Sequence, residues 1–249
     1  MSAKRLLSVA MISALLAVTS SQAQDAPAFD QKQTEGIEGI VKNYILKNPE
    51  IIRDAIGELT KRQEAQAAEN RKGALASLYK DDSPFASSKG KLTVVEFFDY
   101  NCGYCRQAFD QLMKAVDGEK DVRILFVEFP ILSEESRTAS EAAIAAAKQN
   151  KYFEFHRALM VKPGPVNEEK AMKVATELGL NIEQLKKDMA SPETAALIEK
   201  NLALGTSMGV QGTPAFFVGD EAIPGAPENL NQILTAAIQQ TRTKGCSVC

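Results

Sequence analysis

Histidine, cysteine and net positive charge are all scarce in this sequence. One histidine, His156, stands among 249 residues, so a histidine-based metal centre has no partners to draw on, and a packing or surface role is expected for it. Four cysteines are too few to hold a chain of this length together as a disulfide framework. The net charge is -3, so there is no overall basic field to attract nucleic acid. Beyond the N-terminal region no stretch is apolar for long enough to span a bilayer, and no internal repeat is visible. Hydrophobic residues are 45% and charged residues 24%, the balance of an ordinary globular domain, which excludes a wholly disordered chain.

What is present begins with an export signal. Lys4 and Arg5 precede an apolar run from Leu6 to Val18, and Ser21-Gln22-Ala23 supplies small residues for cleavage. The run is shorter than the roughly 20 residues of a membrane span. Residues 1–23 are therefore expected to be a signal peptide, with the protein delivered to the periplasm, where disulfides persist. No cysteine follows the run, so a lipid anchor is not expected.

Residues 24–33 are polar and expected to be loose. From Ile37 the pattern turns helical. Ile37, Ile40, Val41, Tyr44 and Ile45 recur on one face. Asn48-Pro49-Glu50 reads as a stop and restart, with Asn48 as cap and Pro49 in a first turn. Ile52, Ala55, Ile56 and Leu59 then line a second helix. Lys61 to Lys72 has no large apolar residue and is expected to be a solvent-exposed rod. The apolar face resumes at Leu75, Leu78 and Tyr79 before Asp81-Asp82-Ser83-Pro84 breaks the helix. Segment 24–80 thus reads as a helical arm whose apolar stripe either docks on its own domain or packs against other subunits as a dimer or trimer; the second is preferred.

The main domain is expected at 91–242. Leu92–Phe98 and Val122–Phe129 read as buried strands flanking a helix from Asn101 to Val116, a β-α-β unit. Ser133 to Gly205 is helical, with breaks at Lys162-Pro163-Gly164-Pro165, Gly179 and Ser191-Pro192, giving an insertion of about 133–205. Ala215–Val218 and Glu221–Ile223 form a hairpin, and Leu230 to about Thr241 a last helix. Residues 243–249 are expected to be a mobile tail.

Cys102-Gly103-Tyr104-Cys105 follows a strand and opens a helix. At a helix N-terminus the free N–H groups and the dipole favour a thiolate. A lowered pKa makes Cys102 the attacking sulfur at neutral pH, with Cys105 one turn on to resolve. The alternatives are a structural bridge, or a zinc site shared with Cys246 and Cys249. The distance in sequence from Cys105 to Cys246 is far beyond the roughly 15–20 residues of a compact zinc ribbon. No metal is expected, and no cofactor beyond the Cys102–Cys105 disulfide itself. Far downstream, Gly212-Thr213-Pro214 stands at the entrance of a strand. A proline there cannot donate to a ladder, and a cis Thr213–Pro214 bond in a tight turn fits.

Three motifs in order, Glu96-Phe97-Phe98-Asp99-Tyr100-Asn101-Cys102-Gly103-Tyr104-Cys105, Glu128-Phe129-Pro130-Ile131-Leu132 and Gly212-Thr213-Pro214-Ala215-Phe216-Phe217, resemble a DsbA-like protein of the thioredoxin superfamily over about residues 90–242. The resemblance implies an α/β thioredoxin-like fold with an inserted helical domain, here preceded by the helical arm. It implies a cis proline at Pro214 lying against the cysteines, with the backbone of Thr213 pairing with an extended client beside Gly103 and Tyr104. It matches Glu96 to a buried acid that assists proton transfer from Cys105, with a pKa raised by desolvation. An outward-facing Glu96 on a half-buried strand is the alternative. Lys120 and Arg123 are the candidates for its basic partner.

Gly103-Tyr104, together with Thr213 before the proline, resembles the periplasmic disulfide isomerases. The arm ahead of such a domain resembles the ScsC-type and other oligomeric DsbA-like proteins. The resemblance implies a disulfide isomerase acting on misfolded secreted clients, as a homo-oligomer kept reduced by a membrane thiol reductase. The rivals are a dithiol oxidase recharged by a membrane oxidase, a copper-binding or copper-tolerance protein, and an interaction protein without catalysis. Cys246-Ser247-Val248-Cys249 lies outside the family pattern. A small-loop disulfide, a shuttle pair feeding Cys102–Cys105 and a soft-metal site all remain open for it.

Overall fold

The computed structural model describes residues 29–80, 82 and 84–249. The expected signal peptide, and residues 24–28 of the arm, lie outside the described residues.

The chain begins with two helices, α1 (Gln31–Lys47) and α2 (Glu50–Leu78). The helix start is earlier than the apolar spacing alone indicates. Asp30 caps α1 by accepting from the Gln33 backbone N–H at 2.8 Å, while the Gln33 side chain returns the bond to Asp30 N. This reciprocal capping satisfies two end groups and draws polar residues 31–36 into the helix. Asn48 closes α1, its side-chain amide donating to Tyr44 O. No residue of α1 is buried. Ile37, Ile40, Val41, Tyr44, Ile52 and Ile56 are all exposed, Ile40 at 70%.

The expected solvent-exposed rod is only partly so. Polar residues of α2 up to about Gln66 face solvent, but Ala67, Arg71 and Ala74 are half-buried, and Leu75 and Leu78 are buried. Small size at Ala67, and an arginine stem that can lie on apolar surface at Arg71, allow close packing without a large hydrophobe.

Four strands follow, β1 (Leu92–Phe98), β2 (Val122–Glu128), β3 (Ala215–Val218) and β4 (Glu221–Pro224), in the order β2-β1-β3-β4. β1 runs parallel to β2 and antiparallel to β3. The crossover from β1 to β2 is α3 (Gly103–Ala115). Between β2 and β3 lie α4 (Glu134–Lys148), α5 (Tyr152–Val161), α6 (Glu168–Glu177), α7 (Ile182–Met189) and α8 (Pro192–Ser207); α9 (Leu230–Lys244) comes last. This is the expected α/β sheet with a helical insertion.

Both faces of β1 are covered, which is why its sequence runs almost continuously apolar rather than alternating. Val94 and Phe98 join Ile124, Phe126, Phe216 and the apolar sides of α3, α9 and the inserted helices. Val95 and Phe97 join Leu125, Val127 and Phe217, with Leu75, Leu78 and Met208 covering them. The alanines at 139–147 let α4 sit closely among its neighbours. α8 ends on Gly209 at φ +79°, a left-handed cap in which Val210 N–H reaches Gly205 O at 2.9 Å. That turn sends the chain toward the cis Thr213–Pro214 peptide.

Candidate active site

β1 delivers Asp99, Tyr100, Asn101 and Cys102 to one edge of the sheet, and a web of buried polar contacts fixes this turn. The fully buried Asp99 carboxylate accepts from Asn101 N at 2.8 Å through Oδ1, and from Ile131 N and Leu132 N, each at 3.0 Å, through Oδ2. Its backbone oxygen accepts from Cys102 N. One aspartate thus joins the cysteine turn to the loop after β2. Asn101 exchanges two hydrogen bonds with the Val166 backbone. Arg106 donates to the carbonyls of Leu159, Lys162 and Gly164, anchoring α3 to the insertion.

Cys102 is the N-cap of α3, and its Sγ accepts from Cys105 N–H at 3.4 Å. Both cysteines are free thiols and buried. The carbonyl of Thr213, 111 residues away in sequence, lies 3.3 Å from Cys102 Sγ. The peptide bond from Thr213 to Pro214 is cis. The two segments singled out in the sequence therefore meet at one sulfur. Gly103 and Tyr104 are exposed beside it.

The environment separates the two thiols sharply. Cys102 is pulled down to about 6, chiefly by its hydrogen bond with the Cys105 thiol; burial opposes this, and Thr213 and the backbone N–H groups of Cys105 and Tyr104 assist it. Cys105 is pushed strongly upward by burial, by the same hydrogen bond and by the Glu96 carboxylate. At neutral pH the arrangement holds Cys102 as a thiolate and the more deeply buried Cys105 as a protonated thiol.

Glu96 faces inward, beside Phe98 on the α3 side of β1, and is fully buried. Neither carboxylate oxygen has a hydrogen-bond partner. Burial first, and the Cys102 charge second, raise its pKa well above the usual range. Its expected basic partners do not reach it. Arg123 lies opposite Thr93 in the ladder and points to the other face of the sheet, where it donates to Thr93 Oγ1 at 2.9 Å and to Tyr79 O at 3.0 Å. Lys120 is exposed.

A second buried cluster lies close by. Tyr100 and Tyr152 both donate to Glu128 Oε1, at 3.1 and 2.8 Å. His156 Nδ1 lies 3.1 Å from the Tyr100 hydroxyl. That hydroxyl has one proton, and with it given to Glu128 the His156 Nδ1–H donates in turn. Burial raises Glu128 to about 8 and lowers His156 to about 3. His156 is thus a neutral packing residue, tilted over Phe126. Sequence spacing gave no sign of this cluster. Asp99 did leave a signal, since an aspartate just after an apolar strand is typical of a turn that hydrogen-bonds its own backbone.

Cys246 and Cys249 are joined as a disulfide. The tail is docked rather than mobile, because Asp220 accepts from Ser247 N at 2.8 Å and from Ser247 Oγ at 2.6 Å, while Val248 leans on the Leu75 cluster. α9 also continues to Lys244, past the expected end at Thr241. This docking site adjoins Gly219, at the opposite end of β3 from Thr213. They are six positions apart along a largely extended segment, a span of about 20 Å. We therefore expect Cys246→Ser/Cys249→Ser to keep the exchange rate of Cys102 within about twofold of wild type, measured with a small disulfide. A tenfold loss would make the tail pair a partner of Cys102. Among the described residues no group of three or more His, Cys, Asp or Glu side chains is placed to hold a metal ion.

A dithiol at the N-terminus of the crossover helix, closed over by a cis X-Pro loop, defines a thioredoxin-fold thiol–disulfide exchange site. Residues 93–234, more than half of the chain, match the DSBA-like thioredoxin domain, and the chain belongs to that family of thiol–disulfide oxidoreductases. Residues 33–66 match the copper resistance protein ScsC N-terminal domain. Among solved structures, a thioredoxin-like oxidoreductase from Silicibacter pomeroyi DSS-3 is 44% identical, covering 67% of this chain and 96% of its own, with a TM-score of 0.61. Proteus mirabilis ScsC in a transitional conformation is 25% identical, covering 87% of this chain and 100% of its own, with a TM-score of 0.62. Disulfide bond formation protein D of Bacillus subtilis is 29% identical over 160 residues, 59% of this chain and 68% of that protein. The chain also matches Na(+)/H(+) antiporters NhaA, such as that of Herminiimonas arsenicoxydans, but spans only 25% of its length.

Proposed function

We propose that this protein is an exported disulfide isomerase that works through Cys102 and Cys105 on misfolded clients. The observation that carries the choice of isomerase is the arm. α1 and the first turns of α2 present large apolar residues that no other described residue buries, and a face of this kind is stabilised by association. Copies assembled through it would hold several exchange sites around one client.

The Cys102 thiolate attacks a client disulfide. A new S–S bond forms to Cys102, the client bond breaks, and the released client thiolate takes a proton from solvent. The client segment pairs with the backbone at Thr213, beside the exposed Tyr104. A different client thiol, once deprotonated, then attacks the mixed disulfide, which frees Cys102 as thiolate and leaves a rearranged client bond. No net electrons move. If Cys105 attacks first, its proton is taken by Glu96 in its minor ionised form and passed on to solvent, the client leaves as a thiolate that is protonated in turn, and the client is reduced by two electrons. The Cys102–Cys105 pair is left as a disulfide, which a membrane thiol reductase must recharge. No cofactor other than this pair takes part.

Removing residues 24–57, which leaves the docked part of α2 in place, is expected to give a monomer. This monomer should lose most of its ability to reactivate a scrambled-disulfide substrate, by about tenfold, and keep its rate of simple disulfide reduction. Sedimentation and a refolding assay check both. A full-length protein that already sediments as a monomer overturns the assembly. The redox state of Cys102 and Cys105 in cells separates the isomerase from the oxidase, because a pair held mostly as disulfide belongs to an oxidase.

A further inference from the structure

An open cleft of about 390 Å³ runs from Met208 past Thr213 and Pro214 to Phe217 and the β4 residues Ala222 to Pro224. Its floor is apolar or backbone, and Arg71 is the one charged residue lining it. Arg71 comes from α2. Its Nε donates to Met208 O at 3.2 Å, its guanidinium lies 5.7 Å from the centre of the Phe217 ring, and the neighbouring Ala67 closes on Gly209. The side chain is thereby held in place, while its two terminal nitrogens have no hydrogen-bond or ion-pair partner among the described residues. Asp220, the one acidic side chain lining the adjoining hollow, accepts from Ser247. Along the same cleft, Gln211, Gly212 and Thr213 make no backbone-to-backbone hydrogen bond among the described residues, so an edge stands open for another strand.

We propose that Arg71 is a specificity-determining residue that favours client segments bearing an aspartate or glutamate near the reacting cysteine. The inference rests on the reading of Cys102 and Thr213 as the place where clients react and pair. Arg71 stands against Gly209 and Phe217, each four positions along the chain from Thr213, so a peptide extended past Thr213 reaches it within about four residues of its own cysteine, at about 3.3 Å per residue. There a carboxylate finds a fixed fork of donors against an aromatic floor, and a lysine finds like charge. The charge that does the selecting is carried by the arm helix, so α2 is a wall of the client site as well as a connection to α1.

The test uses the reduced full-length protein and two sets of seven-residue peptides. Each carries a central cysteine in mixed disulfide with 2-nitro-5-thiobenzoate, with either aspartate or lysine three residues away on both sides. Attack by Cys102 at the peptide sulfur forms a protein–peptide disulfide and releases the coloured thiolate. The aspartate peptide should react about fivefold faster than the lysine peptide at low salt, with the ratio shrinking in 1 M salt. Arg71→Met, which keeps an apolar stem over Phe217, should bring the ratio near one, and Arg71→Glu should invert it. Release no faster than from Cys102→Ser protein overturns the exchange reading and this inference with it. Fast release with a wild-type ratio near one, or with the same ratio in Arg71→Glu, overturns this inference alone.

Discussion

Replacing Cys102 by serine is expected to abolish exchange with a small disulfide, a loss of about three orders of magnitude or more. A hydroxyl does not ionise near neutral pH, and Cys105 cannot stand in, since it is fully buried and held protonated. The wild-type protein should show why the sulfur matters. With its pKa at about 6, Cys102 is mostly thiolate at pH 7, whereas an ordinary thiol near 8.5 is only a few per cent ionised, a difference of about thirtyfold. Alkylation by iodoacetamide should therefore reach half its plateau near pH 6 and fall about tenfold per unit below that. Cys105→Ala removes the largest stabiliser of the thiolate and should move the half-point upward; an unmoved half-point would assign the low pKa to the helix end alone. Stability follows the same ionisation. A depressed pKa contributes stability in full above the unfolded thiol value of about 8.5, and that contribution is lost as pH falls through about 6. The reduced protein should gain on its disulfide form as pH rises across this window, read as the difference between their melting temperatures.

Much of this site could be read in the sequence because it rests on local rules. A strand leading into Cys-x-x-Cys at a helix start, and a proline at a strand entrance, each carry their own geometry. The three motifs in order tie them to one family, and Thr213 does meet Cys102. Contacts between distant segments were not legible. Asp99 reaches Ile131 and Leu132 across the end of the sheet, and Tyr100 meets Glu128 and His156 from three different elements. No periodicity within one element records such meetings. Arg123 was a plausible partner for Glu96 by closeness in the fold, but residue parity along paired strands sends the two side chains to opposite faces. Residues 61–72 looked like a bare rod because a search for large hydrophobes overlooks an alanine against a glycine and an arginine over a ring. The tail was judged from its polarity, yet Asp220 and Val248 dock it.

Glu96→Gln is expected to make the protein more stable, by an amount that grows with pH. Glu96 is fully buried with neither oxygen hydrogen-bonded, so the folded protein keeps its carboxyl protonated to well above the ordinary value. The unfolded chain releases that proton near 4.5. Between these two values the folded state holds one more proton than the unfolded state. Wild-type stability therefore falls by about 1.4 kcal/mol for each unit of rising pH. Glutamine carries no proton to lose, and the variant escapes that slope. Urea unfolding at pH 5 and pH 7.5 should give nearly equal stabilities at the first and a clear advantage to the variant at the second. The advantage should persist in the disulfide form, because burial is the larger cause of the shift and the Cys102 charge the smaller. Resolution by Cys105 should slow in the same variant, since its thiol must part with a proton in a setting that strongly holds it. A stability difference independent of pH would mean that Glu96 ionises in the fold as it does in the unfolded chain, and that burial does not hold a proton on it.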